Sequence, residues 1–165
     1  MLRFLKLCAV AALLISILGS TSGAYAGDEC YSPYEAEAEQ GIRIHSELMV
    51  IGLNCMHLTP PGHQNFYVTY KQFTAKNQDL FENYEGALIN HFRKSGAAKP
   101  EGALNDLRTN FANRISKDAA SMRPDIFCAR YVDRLNKVSA MDRARFRKWA
   151  ATIYPSHPVS RPVCQ

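Results

Sequence analysis

Residues 34–58 read YEAEAEQGIRIHSELMVIGLNCMHL, and this stretch decides the fold. Its apolar side chains recur at steps of three and four residues, a spacing that places them on one face of an α-helix. The prolines and glycine at positions 60–62 cannot continue a helix. The sequence therefore predicts a first helix over residues 34–58. Its apolar row consists of Ile44, Leu48, Ile51 and Cys55, with Met49, Leu53 and Met56 beside it.

Four further helices are predicted along the chain, and no segment alternates as a strand would. The longest covers residues 64–94, where aromatic and apolar side chains repeat every three or four positions. The third and fourth cover residues 100–122 and 124–138, and each begins at a proline, which the first turn of a helix tolerates. A short fifth helix follows the capping signature at 139–142.

The end of the chain has a different composition. Residues 154–165 contain three prolines, which favour an extended and non-helical tail. Together these patterns predict an all-α fold, an antiparallel bundle of four main helices with a short fifth helix and a Pro-rich C-terminal tail.

The first 26 residues have the pattern of a secretion signal. Arg3 and Lys6 precede an apolar run over residues 8–18, and Ala24-Tyr25-Ala26 offers the small residues that a signal peptidase accepts. The apolar run is shorter than the roughly 20 residues that a membrane-spanning helix needs. We expect cleavage after Ala26, no retained anchor, and a single helical domain over residues 27–165. The short signal with its single Ala-x-Ala site favours a bacterial protein, in the periplasm or outside the cell.

Four cysteines remain after the expected cleavage, and they indicate two disulfides in an oxidising compartment. Cys30 and Cys55 would lie near opposite ends of the first helix, roughly 30 Å or more apart, whereas a disulfide needs Cα atoms within about 7 Å. In an up-and-down bundle the first helix ends where the fourth begins, which brings Cys55 close to Cys128. The tail can then return Cys164 to Cys30. We predict the pairs Cys55–Cys128 and Cys30–Cys164.

Charge is unevenly distributed along the expected mature chain. Removal of Arg3 and Lys6 from the 20 basic residues leaves 18 against 15 acidic ones, a net charge of +3 that is too small to indicate nucleic-acid binding. Residues 28–47 are acidic and residues 123–148 are basic. The two segments either face each other or are simply solvated. Alternatively, the basic one docks a protein or an envelope component through Arg143, Arg145, Arg147 and Lys148.

Tyrosines offer a second candidate for partner binding. Tyr67, Tyr70 and Tyr84 recur on one face of the predicted second helix. Tyrosine suits half-buried positions, where the ring packs and the hydroxyl stays in contact with water. These residues therefore belong either to the margin of the core or to an exposed strip that contacts a partner.

Two metal-binding alternatives follow from histidine and methionine. Met56, His57 and His63 lie around the Pro-Pro-Gly turn and have the soft donors that copper prefers, although neighbouring Cys55 is needed for a disulfide. A haem between helices could use His45, Met49 or His91, and covalent haem attachment is excluded because there is no C-x-x-C-H. Surface or packed histidines explain both patterns, so we predict no cofactor.

No motif for catalysis appears in the expected mature chain, which contains neither a nucleophile elbow nor H-E-x-x-H. Glu82 and Glu85 on the predicted second helix have the spacing of solvated glutamates. The sequence therefore predicts an exported, non-catalytic helical protein that binds a protein or an envelope component. A small-ligand, copper or haem binder is the alternative, and a cell-wall hydrolase is the third hypothesis.

Overall fold

The computed structural model describes residues 30–164, so the predicted signal peptide over residues 1–26 lies outside the described part of the chain. A 3-10 turn, Met56–Leu58, follows the first helix. Apart from two isolated bridge pairs, the described residues form no strand, and the predicted all-α class is confirmed. The six helices are α1 (Pro33–Cys55), α2 (Phe66–Lys76), α3 (Gln78–Lys94), α4 (Pro100–Ser121), α5 (Pro124–Ser139) and α6 (Arg143–Ala150).

Helix α1 packs against each of the other five helices. It begins with a capping box, in which the Ser32 hydroxyl accepts from the Glu35 N–H and the Glu35 carboxylate accepts from the Ser32 N–H. Ile42 and Ile44 are both buried, although residues two apart on a helix point about 200° away from each other. Helix α1 is therefore buried on opposite sides, whereas the sequence predicted one apolar row.

Glycines on α1 allow this close packing. A Cβ atom at Gly41 would overlap the ring of Tyr84 on α3. A Cβ atom at Gly52 would lie 3.3 Å from the Cα atom of Tyr67 on α2. The absence of side chains at these two positions lets α2 and α3 approach the backbone of α1.

The predicted second helix divides at Asn77, so the structure has six helices rather than five. The backbone N–H of Asn77 donates to the Thr74 carbonyl at 3.1 Å. In a continuous α-helix it would donate to the Phe73 carbonyl instead. The Asn77 side-chain amide donates to the Phe73 carbonyl at 2.9 Å in its place. Because Asn77 is buried, this bond satisfies a carbonyl that the break would otherwise leave unpaired.

Both predicted disulfides are confirmed. The Cα atoms of Cys30 and Cys164 are 5.2 Å apart, and those of Cys55 and Cys128 are 5.6 Å apart. Such bonds persist in an oxidising environment. Among residues 30–164, no helix has the length and apolar character needed to cross a bilayer.

The chain after α6 is non-helical through residue 164 and lies along α1. The Tyr31 N–H donates to the Pro162 carbonyl and the Cys164 N–H donates to the Tyr31 carbonyl, both at 2.8 Å. Further along α1, the Glu39 carboxylate accepts from the Ser160 N–H at 2.7 Å. We call residues 151–164 the C-terminal segment, and it forms one wall of the site described next.

Candidate functional site

Helix α1 carries an unusual set of polar side chains in its buried part. Burial of a charged group costs free energy unless the group is paired and hydrogen-bonded, so the partners of these side chains are informative. The buried polar residues of α1 are Glu37, Glu39, Gln40, Arg43, Ser46 and Glu47.

The first two buried acidic residues of α1 are well partnered. Glu37 accepts from the Tyr84 hydroxyl at 2.5 Å and from the Arg147 guanidinium at 2.7 and 3.1 Å. Glu39 accepts from the backbone N–H and the hydroxyl of Ser160. These bonds fasten α3, α6 and the C-terminal segment to α1, and they leave the two carboxylates committed to the fold.

The buried charge of Arg43 is only partly compensated by neighbouring groups. Its residue exposure is 6%, and one guanidinium nitrogen donates to the Gln40 side-chain oxygen. The Nη1 atom lies 3.6 Å from a Glu47 carboxylate oxygen, but neither Nη1 nor Nε has a hydrogen-bond partner among the described residues. Burial lowers the pKa of Arg43, and the charge of Glu47 opposes this shift. Arginine remains cationic in proteins, so Arg43 is a buried cation with free donors.

A cavity of about 210 Å³ opens beside Arg43. It lies between α1, α4, α5 and the C-terminal segment. Arg114 and Ser156 are solvent-exposed, so the cavity is accessible from outside. We call it the arginine cavity, and it is lined by Arg43, Glu47, Arg114, Ile115, Asp118, Tyr131, Arg134, Ser156 and His157.

The two carboxylates of the arginine cavity already have partners. Glu47 forms an ion pair with Arg134, whose Nη2 atom lies 2.6 Å from a Glu47 oxygen. Asp118 accepts a hydrogen bond from the Tyr131 hydroxyl. The Nε atom of Arg134 is buried and has no hydrogen-bond partner among residues 30–164. The Glu47 Oε2 atom, although 2.6 Å from Arg134, is also buried without a hydrogen-bond partner among these residues. The unpaired buried groups of the cavity are therefore three guanidinium nitrogens and one carboxylate oxygen, so donors predominate.

The electrostatic environment of the arginine cavity is positive. Burial lowers the pKa of His157, and the charges of Arg43, Arg134 and Arg114 lower it further. Burial raises the pKa of Glu47, even though the same three arginines favour its charged form. Because the arginines outnumber the cavity's carboxylates, the site is suited to an anion.

The arginine cavity is held in shape by the first helix and the C-terminal segment together. The Gln40 side-chain amide donates to the His157 carbonyl at 2.7 Å, while the Gln40 oxygen accepts from Arg43. Ser156 Oγ lies 2.9 Å from His157 Nδ1. Gln40 thus fixes both the buried guanidinium and the backbone next to the histidine.

Of the two alternatives for Tyr67, Tyr70 and Tyr84, burial favours the margin of the core over an exposed strip. Tyr84 is fully buried and bonded to Glu37, and Tyr70 is buried with its hydroxyl 3.0 Å from His45 Nε2. Tyr67 is half-buried and stacks on Tyr70. The three residues belong to the core and its margin, because α2 and α3 turn this face towards α1.

The predicted basic docking surface lies on α6, and ion pairs occupy much of it. Arg143 forms a two-point contact with Asp79, and Arg145 lies 3.6 Å from Asp142. Arg147 binds Glu37, and Lys148 is exposed. Docking through this surface stays a prediction.

The predicted metal ligands lie at the far end of α1. Met56 and His57 are in the 3-10 turn, and exposed His63 follows the turn that starts at Pro60. Cys55 is in a disulfide with Cys128. No group of three or more His, Cys, Asp or Glu residues within residues 30–164 is arranged to hold a metal ion.

The histidines considered for haem have protein partners. His45 bonds Tyr70, and burial lowers its pKa to about 4, so the ring is neutral near pH 7. His91 Nδ1 lies 3.4 Å from a Glu35 carboxylate oxygen. Met49 is half-buried on α1.

The arginine cavity is not predicted from the sequence, and its main residues are Arg43, Arg114, Arg134 and His157. The available signal was the pair of isoleucines at 42 and 44. If both isoleucines are buried, other parts of the chain must cover opposite sides of the helix. Arg43, which lies between them in the sequence, is then also in the interior. The distance in sequence from Arg43 to His157 gives no signal, because only the folded C-terminal segment brings them together.

No known protein family, curated protein or solved structure matches this chain.

Proposed function

We propose that this chain is an exported, non-catalytic helical binding protein, and that it binds a small anionic ligand in the arginine cavity. One observation carries the proposal: Arg43 is buried and charged, lines the cavity, and has two guanidinium nitrogens without a hydrogen-bond partner among the described residues. A buried donor left unpaired costs about 1–3 kcal/mol or more when charged, and an anion in the cavity would remove that cost.

Binding fits the lining better than catalysis does. Glu47 is held in an ion pair with Arg134, and Asp118 accepts a hydrogen bond from Tyr131, so both carboxylates are restrained by protein groups. The remaining cavity groups supply positive charge and directed N–H donors. Such groups hold carboxylates and phosphates with defined geometry.

We also propose the finer architecture and the location that the sequence predicts. The helices keep an antiparallel order, and the Pro-rich C-terminal segment, extended beyond its turn at residues 154–157, closes the cavity. A signal peptide over residues 1–26 directs the protein to the periplasm or the exterior. The two disulfides support this location, since such bonds persist in oxidising compartments.

Isothermal titration calorimetry with sodium acetate and with sodium phosphate tests anion binding. We expect binding of at least one of these anions, and a loss of about ten- to a hundredfold in affinity on Arg43→Gln, because a hydrogen bond to a charged group contributes about 1.5–3 kcal/mol. Arg114→Gln, at an exposed position on the cavity wall, should weaken binding without affecting the buried part of α1.

Arg123→Gln is the matched control, because it removes the same charge from an exposed arginine that lies outside the cavity and pairs with neighbouring Asp125. Its affinity should equal that of the wild type. Equal affinities in all four proteins, or the absence of any measurable binding by the wild type, would refute the proposal.

A further inference from the structure

A second compartment adjoins the arginine cavity. It has a volume of about 320 Å³ and shares four lining residues with the arginine cavity, including Arg43, Arg134 and His157. Its other walls have a different character, with an aliphatic residue, two aromatic residues and a threonine. These four residues are Ile44, Trp149, Thr152 and Tyr154.

Arg134 lies at the junction of the two compartments. Its guanidinium carbon is 5.5 Å from the centre of the Trp149 ring, within the range of a cation–π contact. The same guanidinium is paired with Glu47 in the arginine cavity. A ligand bound by Arg134 through an acidic group would therefore have its adjacent atoms next to an indole ring.

The second compartment leaves apolar surface exposed to water. Tyr154 has an exposure of 45%, and Trp149 is half-buried. The backbone turn in which the His157 N–H donates to the Tyr154 carbonyl at 2.9 Å fixes Tyr154 close to the histidine. Contact with an apolar group would remove some of this aromatic surface from water, which is favourable.

The charge of the arginine cavity limits the charge of the ligand. Arg43, Arg114 and Arg134 contribute three positive charges, and Glu47 and Asp118 contribute two negative ones. The excess is one positive charge. One carboxylate neutralises it, whereas a phosphate monoester with nearly two negative charges would introduce a new imbalance.

We infer that the ligand is an organic monocarboxylate with an apolar or aromatic body, whose carboxylate contacts Arg43 and Arg134 while its body packs against Trp149 and Tyr154. The inference rests on the proposed anion-binding function and names the class of ligand that the same site takes. Two parallel N–H donors of a guanidinium match the two oxygens of a carboxylate, which gives the acidic end a defined orientation.

The protein contains its own reporter for this site, because Trp149 is the only tryptophan in the chain. Three probes separate the contributions to binding: 3-phenylpropionate has both the acid and the ring, acetate has only the acid, and 3-phenylpropanamide has the ring without the charge. Tryptophan fluorescence follows each titration, and calorimetry measures the same affinities independently.

We expect 3-phenylpropionate to change the Trp149 emission and to bind at least about tenfold more tightly than either acetate or the amide. Tyr154→Ala should weaken 3-phenylpropionate about three- to tenfold and leave acetate unchanged. Tyr34→Ala is the matched control, since Tyr34 is also an exposed tyrosine but lies in the first turn of α1. Its affinities should equal those of the wild type.

Each contrary result has a distinct meaning. Binding of acetate with no gain from the phenyl ring would overturn the inferred ligand class and leave anion binding intact. Equal binding of the amide and the acid would overturn both, because the arginines would then play no part. A wild-type protein that binds neither acid would also overturn both.

Discussion

The proposed anion binding depends mainly on Arg43. The contacts around this residue distinguish a structural ion pair from a ligand-binding group. As a structural ion pair, Arg43 would need full compensation of its charge. Its Nη1 atom lies 3.6 Å from a Glu47 oxygen, but Nη1 and Nε have no hydrogen-bond partner among residues 30–164. A ligand-binding group, by contrast, is expected to lack part of its hydrogen bonding when the ligand is absent. The two roles predict opposite effects of an apolar replacement on stability.

Arg43→Met should abolish anion binding and leave the free energy of unfolding within about 1 kcal/mol of the wild type, or raise it. Removal of one partner of a buried ion pair is costly when it leaves the other charge unpaired, but Glu47 keeps its ion pair with Arg134 when Arg43 is replaced. The cost of burying the Arg43 charge is then removed without creating an unpaired carboxylate. Urea denaturation measures the effect, and Leu48→Ala, in the core of the same helix, should cost about 2–5 kcal/mol. A loss above about 3 kcal/mol for Arg43→Met would assign Arg43 to the fold instead.

His45 should make the protein sensitive to acid. Burial lowers its pKa to about 4, whereas a histidine in the unfolded chain has a pKa of about 6.5. Between these values the unfolded chain binds a proton that the folded protein does not, so acidification favours unfolding. The resulting stability is fully present above pH 6.5, falls as the pH decreases towards 4, and amounts to up to about 3 kcal/mol.

Denaturation of the wild type, His45→Gln and His63→Gln between pH 4 and pH 7.5 tests this assignment. We expect His45→Gln to lose most of the slope over pH 4–6.5. His63→Gln, at an exposed position, should keep it. An unchanged slope in His45→Gln would mean that other groups cause the acid sensitivity.

At the scale of elements, local sequence patterns indicate where most helices begin and end. They do not indicate which neighbours pack against each helix. Pro100 and Pro124 indicate where α4 and α5 begin, and the structure agrees. The division at Asn77 was not predicted, because asparagine is tolerated within a helix and only the side-chain bond to the Phe73 carbonyl makes the break favourable. The burial of α1 on opposite sides was readable from Ile42 and Ile44, but the neighbours that bury it come from distant parts of the chain.

The close contact between α1 and α3 can be tested with two glycines. Gly41→Ala should destabilise the protein by about 1–3 kcal/mol, because the new Cβ would overlap a Tyr84 ring that is fully buried and bonded to Glu37. Gly86→Ala on α3 meets open space and should be neutral or stabilise by about 0.4–1 kcal/mol. Thermal or urea unfolding compares the two, and equal effects would contradict the packing described for Gly41.

At the scale of the whole molecule, the pairing of the cysteines was predictable, whereas the arginine cavity was not. The length of α1 excludes a bond between Cys30 and Cys55, and the expected helix order then favours Cys55–Cys128 over Cys55–Cys164. The cavity forms where α1, α4, α5 and the C-terminal segment pack together. The pattern of residues within any one of these segments does not indicate which other segments it contacts. The sequence therefore does not directly show which residues the tertiary fold brings together in the site.

The two disulfides should have different effects on binding. Replacement of Cys30 and Cys164 by serine should lower stability by about 2–5 kcal/mol and also weaken acetate or 3-phenylpropionate, because this bond holds the segment that carries His157. Replacement of Cys55 and Cys128 should lower stability similarly but preserve affinity, since neither residue lines the arginine cavity. Equal losses of affinity in both variants would indicate that binding follows global stability alone.

The most direct test of the binding account is an NMR titration of His157, which lines both compartments. Without ligand, its pKa should lie below 6.5, because the three arginines and burial oppose the charged ring. Saturating 3-phenylpropionate should raise the pKa by adding a negative charge next to the ring, and Arg43→Met should abolish this rise. A His157 pKa that is the same with and without the carboxylate would contradict the account.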